Sequence, residues 1–529
     1  PAPARFVVLG DVGSVADYHV GDDAMLFGLL AAAEHAGLQA GWTVVSATPE
    51  IAASAAARFG RPAVAGFGFD SCPDQAARQA LLAELDALPP GADGPGRELR
   101  QALAGSTALI IAGGGNLSRS WPALVYERLA AARLAGRLGV PVVLTGQSIG
   151  PGFGAELRPL VAELLGTAAR VGVREQFSAA LALLLGVPEE RIVLGDDDAA
   201  VLACLPEVDT GLDAVPNPVP VAEPFVAVTV NDLGEAVLAA LAGQLAEHSS
   251  RTGAGLVLVP HAGNLTGPAD QDVAAAHRVA GAFDARLAAL GIDRRAVVVP
   301  LPSAGEAVRY CRQAELVISS RYHPVVFAGS CRTPMLFLHQ DAYTAQKGIG
   351  ALARFGMADW RLSVEDAAAG RLLPALTELW QQRGRLAGLL PSGVGERARE
   401  RLGRLLEGLA AGTIGAAPAG MISARPDSPD WREAALPEFL ELAEAGLEAE
   451  RDAALSEQGA LRQHAAEAER YARSLQEQAE RHEPYVRSLL HRAEVAEHYA
   501  ASLLARAEAA EQHASALQAP SGGGDQLPG

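Results

Sequence analysis

Arg321 and His323, in the run Ser319-Ser320-Arg321-Tyr322-His323, place a guanidinium fork and an imidazole two residues apart. A fork grips carboxylates and phosphates, and an imidazole moves protons near neutral pH. The pair therefore suits an anionic ligand that gains or loses a proton. Its surroundings place it. Leu316-Val317-Ile318 reads as a short buried strand, Pro324 to Gly329 opens a helix, and Met335 to Leu338 is the next strand. Residues 319–323 thus fall at the carboxyl end of a strand, where open α/β sheets bind ligands. The following helix aims N–H groups and a partial positive charge at the same spot. A solvated arginine and a histidine packed under the helix would read the same locally, so the rest of the chain must decide.

Similar loops recur at other strand ends. Phe6 to Leu9 is a strand, and His19 to Gly37 then places Asp22 and Asp23 at the start of an apolar helix. Carboxylates there cap the helix, and they could also hold a hydroxyl or accept its proton. Ala108 to Ala112 ends in Gly113-Gly114-Gly115-Asn116, where a ligand can approach bare backbone. Val140 to Thr145 closes with a second glycine-rich loop, Gly146-Gln147-Ser148-Ile149-Gly150-Pro151. Val171 to Val173 leads into Arg174-Glu175, and Arg191 to Leu194 into Gly195-Asp196-Asp197-Asp198. Gly255 to Val259 ends in Pro260-His261, a second imidazole at a strand end. Lys347 is the sole lysine of the chain.

Strands alternating with helices imply parallel sheets covered on both faces. The expected class is α/β, with two Rossmann-like doubly wound domains at 1–208 and 224–410 and a Pro-rich linker at 209–223. Ligand loops on facing edges would then share a cleft. A Gly/Pro-rich connector at 411–432 precedes an Ala/Glu/Arg/Leu segment at 433–518, and 519–529 reads as a disordered tail. Tyr471, Tyr485, Tyr499 and His513 recur every fourteen residues, each followed four positions later by Leu475, Leu489, Leu503 or Leu517. Two heptads per repeat predict a coiled-coil-like extension for self-association or for a partner protein, interrupted at Pro484. A net charge of −19 argues against nucleic acid as the partner. Four scattered cysteines form neither a CxxC pair nor a metal-ligand cluster. No signal-type or membrane-spanning run is visible, which makes a soluble cytoplasmic protein the expectation.

Six motifs stand in order: HVGDDAM at 19–25, IIAGGGNL at 110–117, GQSIGP at 146–151, VGVREQFS at 171–178, GDDDA at 195–199 and SSRYH at 319–323. As an ordered set they resemble the polysaccharide pyruvyl transferase family over roughly residues 5 to 360. The resemblance implies a GT-B-like fold and transfer of the enolpyruvyl unit of phosphoenolpyruvate to a sugar or polysaccharide acceptor, as a cyclic ketal. Phosphoenolpyruvate is then the donor substrate, and neither a cofactor nor a metal is implied. By motif position it assigns Arg174, Arg321 and His323 to the donor, with Lys347 beside them. Gly114, Gly115, Asn116, Ser148 and Ser320 line the same expected site. The chemistry needs a proton for the vinyl carbon and a base for the sugar hydroxyl. His323 is the first candidate acid and His261 the second, while Asp22 or Asp23 holds the sugar or serves as base. Ser120 stands where the family's glycine loop commonly carries an aspartate. A nucleotide-sugar glycosyltransferase of the same fold, or a binding protein acting through its helical extension, are the alternatives.

Overall fold

Short runs of Val, Leu, Ile and Ala, apolar on every residue, can satisfy their backbone only inside a parallel sheet covered on both faces. Ala108–Ile111 and Leu316–Ser319, buried at every position, form the middles of two such sheets. The computed structural model describes residues 3–414, apart from 90, 151, 206–223 and 269, and beyond them residues 459, 461–470, 473 and 486–518. The linker, the connector beyond 414, most of the repeat before 486 and the 519–529 tail lie outside the described residues.

The first sheet runs β4 (Ala63–Ala65), β3 (Ala40–Ser46), β1 (Ala4–Leu9), β5 (Ala108–Ile111), β7 (Val142–Ile149), β8 (Arg170–Val173), β9 (Ile192–Leu194), and β6 (Gly114–Leu117) pairs with β7. The second runs β13 (Val297–Val298), β11 (Gly255–Leu258), β10 (Phe225–Thr229), β14 (Leu316–Ser319), β15 (Met335–His339), β16 (Arg361–Ser363). Every pairing within these two sheets is parallel. The halves are sewn together by β2 (Tyr18–His19) against β12 (Ala262–Gly263), the one antiparallel pair described. The Val20 N–H also donates to the His261 carbonyl at 3.0 Å, and the Tyr18 hydroxyl to the Pro302 carbonyl at 3.2 Å.

Two glycine loops of the sequence reading are strands instead. β7 continues through Gly146-Gln147-Ser148-Ile149, buried throughout, with a register shift at the glycine, whose φ of 47° suits a residue without a side chain. The Gln147 amide donates to the Ala112 carbonyl at 2.6 Å and the Thr145 carbonyl at 2.9 Å, so the irregular backbone keeps its partners. β6 pairs with this extension, which turns Gly114-Gly115-Asn116 from a free loop into a fixed strand. The Ala- and Gly-rich stretch before 107, featureless in sequence, holds helices Pro49–Phe59, Gln75–Ala87 and Arg97–Ala104.

Three successive aspartates after β9 tie distant elements. Asp196 pairs with Arg354 at 2.9 Å, Asp197 with Arg174 at 2.9 Å, and Asp198 with Arg401 at 2.7 Å. Arg401 sits on helix Val394–Ala410, which returns from the second half to pack on helix Val20–His35 and the Asp198–Cys204 turn. No described helix is long and apolar enough to cross a membrane.

Beyond the connector, Val486–Gln518 is one helix. Its buried residues are Ala496, Ala500, Leu503 and Ala507, facing Leu461 and Ala465, with Arg462 and Glu511 paired at 2.7 Å alongside. Tyr499, expected in that seam with Leu503, is 59% exposed. Leu503 holds its expected place, while Ala500 is buried in the layer expected for Tyr499. Alanine at alternate layers lets the two helical segments approach more closely than a tyrosine would. The helix also rests on Gly154–Thr167 of the first half, so the extension is not detached from the core.

The return helix carries a test. Arg401→Ala should leave the fully buried Asp198 carboxylate unpaired and cost about 3–5 kcal/mol in chemical denaturation. Pairing it with Asp198→Asn should recover part of that loss.

Candidate active site

Arg174 follows β8 with its side chain only 1% exposed. A guanidinium at that depth must find partners. Its Nε donates to Ser148 Oγ at 2.8 Å, its Nη1 donates to Asp197 at 2.9 Å, and its plane lies 4.1 Å from the centre of the Tyr322 ring. Tyr322 occupies the first turn of helix Tyr322–Ser330, in the second half of the molecule. Lys347, on helix Ala342–Arg354, brings its ammonium to 5.6 Å from the same ring. That ammonium donates to Tyr343 Oη at 3.0 Å, and Tyr343 Oη donates to the Gly115 carbonyl at 2.7 Å. A Cβ on Gly115 would lie 2.1 Å from Lys347 Nζ, so only glycine admits the lysine there. No carboxylate pairs with Lys347 among the described residues; its partner is a phenol.

His323 meets the edge of Tyr322 at 5.3 Å and lies against Gly21, where a Cβ would stand 1.8 Å from Nδ1. The glycine of the Gly-Asp motif is thus the space into which the imidazole of the other half fits. The buried Nε2 of His323 has no hydrogen-bond partner among the described residues. Burial, with the charges of Arg174, Lys347 and His19, holds its pKa well below the usual histidine value. Asp22, one residue beyond Gly21, responds in the opposite sense. Burial pushes its carboxyl up to about 6, Asp11 and Asp23 add to the rise, and His19 and Arg174 oppose it. Asp23 is taken by Arg58 at 2.6 Å and braces the helix start.

A second group sits beside the first. Arg321 donates its fork to Asp272, Nε at 3.1 Å and Nη2 at 2.6 Å, and Asp272 is fully buried. The same carboxylate accepts the His261 backbone N–H at 3.1 Å. Burial and then His323 and Arg321 push the His261 imidazole down to about 3, and both its ring nitrogens are buried without partners among the described residues. Ser320 donates to the Asn231 side chain at 2.5 Å and accepts its backbone N–H at 3.0 Å, which fixes the end of β14.

Arg174, Lys347, His323, Asp22 and Gly115 therefore converge around Tyr322, with Ser148 orienting Arg174 and Gly114 and Asn116 adjoining on β6. Arg321, His261 and Ser320 flank them through Asp272. Ser120 is exposed. Sequence reasoning missed Tyr322, Tyr343, Asp272 and Asp11. Asp11 had a usable signal, being a polar residue directly past the carboxyl end of β1. Asp272 had none, because it lies within helix Gln271–Ala289 and its partner is far away in sequence.

The fold is similar to that of UDP-GlcNAc 2-epimerase from Methanocaldococcus jannaschii, at 12% identity over 76% of this chain and 99% of that one, with a TM-score of 0.50. A second UDP-N-acetylglucosamine 2-epimerase structure matches at 12% identity over 81% and 99%, with a TM-score of 0.52. At such identities the likeness establishes the fold, a GT-B-like pair of Rossmann-type sheets, and nothing of the substrate. No curated protein matches the chain by sequence. Residues 42–341 match the family described as polysaccharide pyruvyl transferase, which spans β3 to the strand after the Arg321-Tyr322-His323 turn. That match covers more than half the chain and contains five of the six motifs, and the protein belongs to the polysaccharide pyruvyl transferase family.

Proposed function

We propose that this transferase takes its pyruvyl group from phosphoenolpyruvate and closes it as a ketal on two hydroxyls of a sugar. The carrying observation is the stack of Arg174, Tyr322 and Lys347, two cations from opposite halves on one ring, with a neutral imidazole at its edge. Phosphoenolpyruvate carries its carboxylate and its phosphate on the same carbon, so two cations gathered at one ring suit its two anionic groups. Lys347, not neutralised by a carboxylate, takes the phosphate as a point charge. Arg174 takes the carboxylate and keeps Asp197 behind it. Arg321 contributes its charge at the rim, its fork being held by Asp272.

Burial, and then the charges of Arg174 and Lys347, hold His323 well below the usual histidine value and favour the neutral ring. A bound trianion reverses that field and lets the ring take up a proton. The proton then goes to the methylene carbon of the donor, leaving a cationic centre at the carbon that bears the phosphate. One sugar hydroxyl adds to that carbon and gives its proton to Asp22. The carbon–oxygen bond to phosphate breaks, and the second hydroxyl adds to the same carbon and closes the ketal, its proton leaving with the departing phosphate.

Three outcomes check this reading. Lys347→Ala should weaken phosphoenolpyruvate binding by about 1.5–3 kcal/mol in calorimetry, with Lys347→Arg giving partial recovery. Binding in buffers of different ionisation enthalpy should take up a proton in the native protein, and His323→Gln should abolish that uptake. Because Asp22 must be ionised to accept a proton, kcat at saturating donor should rise with pH as Asp22 ionises from about 6, while kcat/KM should fall toward higher pH because donor binding takes up a proton. Asp22→Asn should remove both the limb and most of the rate.

A further inference from the structure

The donor groups leave the acceptor unplaced, and one carboxylate next to them has no part in the mechanism so far. Asp11 follows β1 at the carboxyl edge of the first sheet. Arg128, whose side chain is 1% exposed, donates from Nη2 to Asp11 Oδ2 at 2.6 Å and from Nη1 to the Leu124 carbonyl at 3.1 Å. The Asn116 amide donates to the same Asp11 oxygen. Both of its partners among the described residues thus fall on Oδ2, while 23% of the side chain is open to solvent. A carboxylate fixed from behind on one oxygen presents the other as a rigid acceptor of hydroxyl hydrogen bonds.

Its location ties it to the reacting groups. Asn116 is the neighbour of Gly115, which touches both Lys347 and Tyr343. Asp22 feels the charge of both Asp11 and Arg174, so it neighbours this carboxylate as well as the donor cation.

We propose that Asp11 is the acceptor-binding residue, holding a hydroxyl of an uncharged sugar so that the adjacent hydroxyl pair faces Asp22. This rests on the pyruvyl-transfer reading above. The chemistry sets the substrate class. A carboxylate held in place by a buried arginine accepts hydrogen bonds from neutral polyols and repels uronates and sugar phosphates. The acceptor residue is therefore neutral at the ring that is modified, whatever charge the polymer carries elsewhere.

The test uses the full chain with phosphoenolpyruvate and a panel of p-nitrophenyl glycosides, neutral hexosides and N-acetylhexosaminides beside their uronides, read by phosphate release. The native enzyme should use a neutral member and disfavour its uronide. Asp11→Asn should raise KM for the neutral glycoside at least about tenfold and shrink the preference over the uronide by a similar factor. Phosphoenolpyruvate affinity, measured separately by calorimetry, should stay within about twofold, which keeps a failure of the donor reading apart from a failure of this one. Should Asp11→Asn misfold, Asn116→Ala removes one of the two fixings and should raise the same KM by a smaller factor. A protein that binds phosphoenolpyruvate yet uses no neutral glycoside overturns the assignment. So does an Asp11→Asn or Asn116→Ala variant that keeps the native KM and charge preference, or that loses donor affinity instead.

Discussion

Burying a guanidinium is the constraint on which this structure turns. Arg174 has almost no contact with solvent, and an isolated charge at that depth costs several kcal/mol. That cost is offset by Asp197, Ser148 and the face of Tyr322 together. These come from the segment after β9, the irregular end of β7 and the second half of the molecule. Glu175, 3.9 Å from Nε, adds a second carboxylate, and the Tyr322 contact ties the arginine to the other half. The bulge at Gly146, the aspartate run and the first turn of helix Tyr322–Ser330 all follow from holding one cation in place.

Close approach of the halves is the second consequence. Gly21 exists as glycine because an imidazole from the other sheet fills the space of its side chain, and Gly115 because a lysine does. The β2–β12 pair, the Asp196–Arg354 bridge and the return of helix Val394–Ala410 hold the same closure from other sides. Within the resulting cleft the two arginines are each held by a buried carboxylate, Arg174 by Asp197 and Arg321 by Asp272, while Lys347 has a phenol as its partner.

Much of this was legible in the chain. Apolar runs ending in Gly, Asp or Arg announced the strands and put Arg174 and His323 just past strand ends and Asp22 at a helix start, while Lys347 stood out as the sole lysine and through the family resemblance. The eventual partners were not legible, because each is a long-range contact with no local signature. Nothing near Arg321 in sequence points to Asp272, and nothing near Arg174 marks Tyr322 as more than a neighbour of His323. The β7 extension was hidden by its glycine, which reads as a loop but serves as a bulge. In the C-terminal helix the fourteen-residue Tyr and Leu period caught the eye, while the buried seam is made mostly of alanines. Small side chains pack closely yet carry little periodic signal.

The most direct test of the account is calorimetric titration of the native protein with phosphoenolpyruvate and, separately, with UDP-N-acetylglucosamine. The stacked Arg174, Tyr322 and Lys347 predict saturable one-site binding of phosphoenolpyruvate with proton uptake, and none of the nucleotide sugar. Binding of the nucleotide sugar with no response to phosphoenolpyruvate would contradict it.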